Sequence, residues 1–356
     1  MATRKDTRLR FEQWVKNPTC EANVISAVAG VRMDKVAISE GIKPTFGQSP
    51  FAITRGNSFE RALLDKQADS LIEALCRKDA LPSGASGLAD YRIRMNGGSL
   101  KSLEVALVKT RELLEAAAAT GAEGLYGELP AVVASATMEI PGQPVMLPDG
   151  LLVIDALLLR PAEDGKLVEL VIGEIKTYPY RGGYTDSAQL ATARGQAGVY
   201  RHALKLFISE LGLSDRLVIS PFGVIVLSLS GQNQPVILPN EDLRFQDKRA
   251  ERGFVRLRDA AAGVTPFDPA DEEKGIEKVL AADTEYKPAC ISFCDRAAGC
   301  RLAAFKAGDA VVLGEDVKRL LGDVTIDRAV ELLGGAAPSG PRETELAARL
   351  TEGAAA

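Results

Sequence analysis

Three ionisable side chains sit inside runs that are otherwise apolar. Asp155 is embedded among Ile154, Ala156 and Leu157, and the chain then turns through residues 161–165. A second apolar run starts at Leu167 and ends in Gly-Glu-Ile-Lys, carrying Glu174 and Lys176. Side chains alternate faces along a strand, so Glu174 and Lys176 share a face while Ile175 points to the opposite layer. If the two runs pair as a hairpin, Asp155 joins them. Charges buried in a sheet are costly unless they are paired or bind a metal. Two carboxylates and an ammonium on one strand pair suit a divalent cation, with the lysine placed to polarise a phosphate or orient a water. An ordinary cross-strand ion pair is the alternative from these residues alone. Asp149 competes as a ligand, but Asp149-Gly150 has its own explanation as a turn dipeptide.

A second constellation consists of thiols. Cys290, Cys294 and Cys300 form C-x3-C-x5-C in a segment marked by Pro288 and Gly299, and the chain holds five cysteines in all. Soft thiolate ligands at such spacing suit an iron-sulfur cluster or Zn2+, either needing a fourth ligand from a distant part of the chain. Cys76 falls on the apolar face of a predicted helix and reads as a small buried hydrophobe.

The elements that must position these groups follow from periodicity. Residues 185–211 predict a helix that carries Gln196 and Tyr200 four apart, hence on one face, together with Arg194, Arg201 and Lys205. His202 reads there as a surface residue. Between Lys176 and this helix lie Tyr178, Tyr180, Arg181 and Tyr184, an interleaving of aromatic and basic groups suited to stacking bases and holding phosphates. Residues 55–78 predict one helix with Asn57 or Ser58 as its N-cap, which places Glu60 in the first turn, where the helix dipole favours a carboxylate. Residues 79–98 read as a loop, 99–119 as an amphipathic helix, and 131–138 and 222–229 as strands. Residues 241–262 and 269–282 read as charged helices, and three short helices close the chain beyond Cys300. Residues 22–51 give no clear pattern.

The order of Asp155, then Glu174-x-Lys176, then Gln196-x3-Tyr200 resembles the RecB-like branch of the PD-(D/E)XK nucleases. Gly56 and Glu60 resemble that branch's Gly-x3-His/Glu signature, and by this resemblance Glu60 becomes a third ligand for Mg2+ or Mn2+. Iron-sulfur members place one cysteine before the nuclease core and three after it. The resemblance therefore makes Cys20, Cys290, Cys294 and Cys300 the ligands of a 4Fe-4S cluster, with Zn2+ as the alternative. It is closest to the CRISPR-associated iron-sulfur exonucleases and the AddB nuclease domain, and departs from them in length, in Glu60 for His, and in C-x3-C for C-x2-C. It implies an α/β restriction-endonuclease-like core, a mixed central sheet flanked by helices, with a cysteine-ligated cluster and a C-terminal helical appendage. The implied divisions are 1–54, a nuclease core over 55–285, a cluster segment over 286–306 and the appendage over 307–356. The implied activity is hydrolysis of DNA phosphodiester bonds, as an exonuclease on single-stranded ends, with partners in a repair or defence complex. Gln196, Tyr200, Tyr180, Arg181 and Arg194 would contact DNA. A DNA-gripping subunit with little cleavage of its own, or a zinc-stabilised scaffold, are the competing classes.

At 356 residues with 46% hydrophobic composition, the chain can bury a full core. A net charge of −5 argues against a broad basic surface, though not against a local basic groove. The first ten residues are charged, and no apolar run has bilayer length, so a cytoplasmic protein with reduced thiols and no membrane partner is expected.

Overall fold

The computed structural model describes residues 7–44, 50–92, 100–140, 150–229, 232–268, 270–308 and 310–355. The chain opens with α1 (Thr7–Lys16), α2 (Glu21–Ala29) and α3 (Met33–Ser39), followed by α4 (Pro50–Leu64) and α5 (Asp69–Cys76). Then come β1 (Leu88–Asp90), α6 (Leu100–Thr120), β2 (Val132–Ile140), β3 (Gly150–Pro161) and β4 (Val168–Tyr180). The middle of the chain continues with α7 (Ser187–Glu210), β5 (Leu217–Ile219), β6 (Phe222–Leu229), β7 (Pro235–Asp242), α8 (Arg244–Ala262) and α9 (Glu272–Ala281). The C-terminal part holds α10 (Ala297–Ala307), α11 (Glu315–Leu321), α12 (Ile326–Leu333) and α13 (Pro341–Ala355).

The architecture is mixed α/β. Seven strands form one sheet in the order β1-β2-β3-β4-β6-β7, with β5 also paired to β4. The β2–β3, β3–β4 and β6–β7 pairs are antiparallel, whereas β1 pairs parallel to β2, and β5 and β6 pair parallel to β4. Helices cover both faces, which explains why β3 and β4 are apolar on both sides. On one face Leu157, Leu159, Leu170 and Ile172 pack with residues of α1, α2, α6, α7 and α8. On the other, Ala156, Leu158, Val171, Val224 and Val226 pack with Phe59 and Leu63 of α4 and Leu71 and Leu75 of α5. A separate small core joins Ala304, Leu321, Ile326, Leu332 and Leu346 of α10–α13.

The hairpin that carries the ionisable groups forms as its sequence predicts. Gly165 takes φ +66°, and the Asp164 carboxylate accepts the backbone N–H groups of Lys166 (2.9 Å) and Leu167 (3.0 Å), closing the turn between β3 and β4. Residues 185–211 form α7, whose N-cap Asp186 accepts the Gln189 N–H at 2.9 Å.

Four expectations need correction. The single helix over residues 55–78 is two helices. It starts earlier, at Pro50, so Asn57 and Ser58 are interior positions, not caps, and Glu60 lies beyond the first turn. Positive φ at Lys66, Gln67 and Ala68 breaks it before α5, and the break lets Phe59, Leu63, Leu71 and Leu75 all reach the same sheet face. The helix expected from residue 241 starts at Arg244, because residues up to Asp242 pair with β6 as an edge strand. The stretch read as a loop over 79–98 contains β1, and the patternless stretch over 22–51 contains α2 and α3. Their cue was weak because β1 is three residues long and α2 is buried on nearly every side.

Candidate active site

The hydrogen-bonded ladder between β3 and β4 ends at Ala156 paired with Gly173. From there β3 continues with β2, and β4 continues with β6. Asp155 and Glu174 stand just past that last pair, where the two strands part. A parting of strands frees backbone groups, and one is satisfied by a site residue: the Ile175 N–H donates to Asp155 Oδ2 at 3.0 Å.

Asp155, Glu174 and Lys176 meet at this fork. The Lys176 ammonium contacts Glu174 Oε1 and lies 3.7 Å from Asp155 Oδ2. Glu174 is 0% exposed, and its Oε2 has no hydrogen-bond partner among the described residues. Burial and the neighbouring Asp155 push the Glu174 carboxyl well above the usual carboxylate range, against the pull of Lys176 and Arg8. Burial disfavours the Lys176 charge, but Glu174 and Asp155 outweigh it and hold the lysine protonated. Glu60, half-buried on α4, feels the same centre: burial and then Asp155 raise its pKa, while Arg92 and Lys176 oppose. Asp149, the rival to Asp155, lies outside the described residues.

α1 and α7 close the site from one face. Tyr200 is 3% exposed, and burial followed by the charge of Glu174 pushes its hydroxyl far above the ordinary range. It therefore underlies the carboxylates and does not project from the surface. The Arg8 guanidinium lies 5.8 Å from the Tyr200 ring centroid and bonds Glu12 at 2.9 Å. Burial works against the Arg8 charge, yet Tyr200, Glu12 and Glu174 together raise its pKa. Sequence reasoning missed Arg8 and Glu12. Their i,i+4 spacing beside the buried Phe11 and Trp14 was a signal for an amphipathic helix, not for a site.

The remaining expected DNA contacts scatter. Gln196 lines a groove between α1, α7 and α8, and its Oε1 is buried without a partner among the described residues. Arg194 is tied to Glu241 at 2.5 Å. Tyr180 and Tyr178 pack against Ala193, Ile225 and Leu227. Arg181 lines a separate cleft of about 420 Å³ with Arg55, Phe59 and Ser228. His202 is not a surface residue. It is buried against Phe254, ring centroids 5.6 Å apart, with Nδ1 3.8 Å from Asp247 Oδ1, because α8 packs along that face of α7. Burial lowers its pKa, with Asp247 opposing.

Cys20, Cys290, Cys294 and Cys300 line one small pocket, brought together from opposite ends of the sequence. The segments are held by protein bonds: Asn17 Nδ2 donates to the Glu285 carbonyl at 2.7 Å, Gln13 Nε2 to the Phe293 carbonyl at 3.0 Å, and the Asp283 N–H to Glu21 at 2.9 Å. Two donors also face one sulfur, the Lys287 N–H at 3.3 Å and Asn17 Nδ2 at 3.5 Å from Cys290 Sγ. Burial pushes the Cys294 thiol up to about 12 and the Cys300 thiol up to about 11. Cys76 stands apart, half-buried, donating to the Pro82 carbonyl at 3.2 Å. Among the described residues, no three His, Cys, Asp or Glu side chains are grouped so as to hold a metal ion. The thiols share a pocket, and the carboxylates share a fork, without adopting a ligated arrangement.

No protein-family model matches the chain, and neither a curated protein nor a solved structure matches it. The fold and site define a mixed α/β protein with an Asp-Glu-Lys centre at a strand fork, of which the glutamate is fully buried. No helix among the described residues is long and apolar enough to cross a membrane.

Proposed function

We propose that the protein is a metal-dependent nuclease of the RecB-like PD-(D/E)XK kind, acting on DNA phosphodiester bonds at single-stranded ends. The observation that carries this reading is the fork itself. A fully buried carboxylate with an oxygen unpartnered among the described residues stands beside a second carboxylate and a half-buried ammonium. Burying Glu174 unpaired on one oxygen costs several kcal/mol in order of magnitude. A site that tolerates this cost fits a cation that would take up that oxygen. Asp155 and Glu174, with Glu60 at hand, would hold Mg2+ or Mn2+, which supplies Lewis-acid stabilisation of charge on a phosphate and acidifies water.

The chain's own groups do the rest. Lys176, kept charged by the two carboxylates, orients the attacking water or stabilises negative charge on the pentacovalent phosphorus. The Ile175 N–H fixes the Asp155 carboxylate, and Tyr200 with Arg8 excludes water from the inner side of Glu174. The cysteine pocket suits a 4Fe-4S cluster by its donor chemistry, with Zn2+ the alternative. N–H groups aimed at a sulfur stabilise thiolate, and such a cluster would be structural. The test is cleavage of end-labelled single-stranded DNA with Mn2+, comparing wild type with Lys176→Ala. Loss of cleavage by at least about a hundredfold is expected. Equal cleavage by both proteins, or none by wild type, refutes the enzyme reading, and the latter with retained binding leaves a DNA-gripping subunit.

A further inference from the structure

The groove between α1, α7 and α8 has a volume of about 670 Å³, and the Asp-Glu-Lys centre does not use it. Its walls include Trp14, Lys16, Gln196, Gln246, Arg249, Arg252 and Arg256. Arg249, Arg252 and Arg256 are exposed and recur at intervals of three and four, so they form one stripe along α8. Neither Arg249, Arg252 nor Lys16 has an ion-pair partner among the described residues. The nearby acids are already engaged: Glu12 with Arg8, Asp247 with Arg201 and Lys205, Glu251 with Lys248. One helical turn earlier on the same stripe, Phe245 is 65% exposed.

Three residues of the groove wall also carry buried polar atoms. Trp14, 2% exposed, has an indole N–H without a hydrogen-bond partner among the described residues, and so have the Oε1 atoms of Gln196 and Gln246. Three unpaired polar atoms in the wall of one groove are uncommon, because each costs about 1–3 kcal/mol when left unsatisfied. The Arg256 guanidinium lies 6.0 Å from the Trp14 ring centroid, so cation and aromatic face are already set together.

We propose that this groove holds the phosphodiester backbone of a single nucleic-acid strand, with Arg249, Arg252 and Arg256 as successive phosphate contacts and Phe245 as a stacking platform. A small ligand would fit the volume, but it would leave the stripe unused. From residue 249 to 256 the helix rises about 10 Å, roughly three nucleotide steps of a stacked strand. Glu12, joined to Arg8 beneath the carboxylates, lines the groove's other side, so the strand would run beside the fork. The proposal rests on the nuclease reading for its substrate, and its test does not depend on cleavage.

Binding of labelled dT and rU oligomers of about 20 nucleotides to the full chain is measured by fluorescence anisotropy in EDTA, between about 0.05 and 1 M salt. For Arg249→Ala/Arg252→Ala/Arg256→Ala, the slope of log affinity against log salt should shrink by about 2, and affinity near 0.1 M salt should fall about a hundredfold. Arg249→Ala/Arg252→Ala, which spares the Trp14 contact, should shrink the slope by about 1.4. Loss of slope in either oligomer arm supports the groove, and the two arms tell DNA from RNA. An unchanged slope in both variants overturns it, even if Lys176→Ala abolishes cleavage. A reduced slope in the variants, with a wild-type protein that cleaves nothing, would keep the groove and sink the nuclease instead.

Discussion

Gly195 and Gly198 lie one turn apart in the middle of α7, and one substitution at each should change stability in opposite directions. Replacing a helical glycine with alanine ordinarily gains about 1 kcal/mol by restricting the unfolded chain and improving helix propensity. At Gly195 an added Cβ would meet nothing within 4 Å, so Gly195→Ala should realise that gain. At Gly198 the Cβ would stand 2.3 Å from Gln246 Cβ, 2.7 Å from the Gln246 carbonyl carbon and 3.1 Å from the Asp247 nitrogen. Two of those atoms are backbone, so no rotamer change relieves the overlap. α7 and α8 would have to separate by roughly 1 Å, and overpacking of this kind costs about 1–3 kcal/mol or more. The upper part of that range applies because a helix must move, which leaves Gly198→Ala about 2 kcal/mol less stable than wild type after the propensity gain. Urea unfolding followed by far-ultraviolet circular dichroism measures both, with the midpoint rising for Gly195→Ala and falling for Gly198→Ala at unchanged slope. Midpoints that move in the same direction would refute the close α7–α8 contact. Gly198→Ala should also weaken oligonucleotide binding, since Gln246 and the arginine stripe ride on α8.

Asp247, 2% exposed, faces Arg201, Lys205 and His202. Asp247→Ala leaves the mostly buried Arg201 without its counter-charge and should cost about 3–5 kcal/mol in urea unfolding; a loss below about 1 kcal/mol would show that solvent reaches the cluster. In the C-terminal helices, hydrogen bonds from Arg328 and the Ser339 N–H pull Glu343 down to about 2. A depressed carboxylate stabilises the fold above its unfolded value, near 4.3, and that contribution is lost as pH falls toward 2. Proteolysis at α12–α13 should therefore accelerate between pH 4 and pH 2 (roughly the window set by those values), and Glu343→Gln should remove this acid step; identical profiles would refute the pairing. Cys20→Ala should lower the iron or zinc content of anaerobically purified protein, whereas Cys76→Ala should not, because only Cys20 shares the pocket of the other three thiols. Metal content that follows Cys76 instead would overturn the ligand set.

The sequence alone determined the hairpin and what it carries. Apolar runs on both sides of a turn that holds Asp164 and Gly165 leave little choice but paired strands covered on both faces, and the alternation within Gly173-Glu174-Ile175-Lys176 fixes that the acid and the ammonium share a side. It also determined α7, through the helical spacing of residues 185–211. These features are local: each is set by neighbours within a few residues. Tertiary structure decided what covers those groups. Arg8 and Glu12 reach the fork only because α1 packs over β3 and α7, and no spacing in residues 7–16 announces it. His202 is buried, and an added Cβ is crowded at Gly198 where it is free at Gly195, because α8 lies against one stripe of α7 and misses the other. The break at residues 65–68 likewise serves a sheet face built from strands that lie up to about 170 residues further on. A sequence states which side chains prefer burial; only the packed chain determines which partner each of them meets.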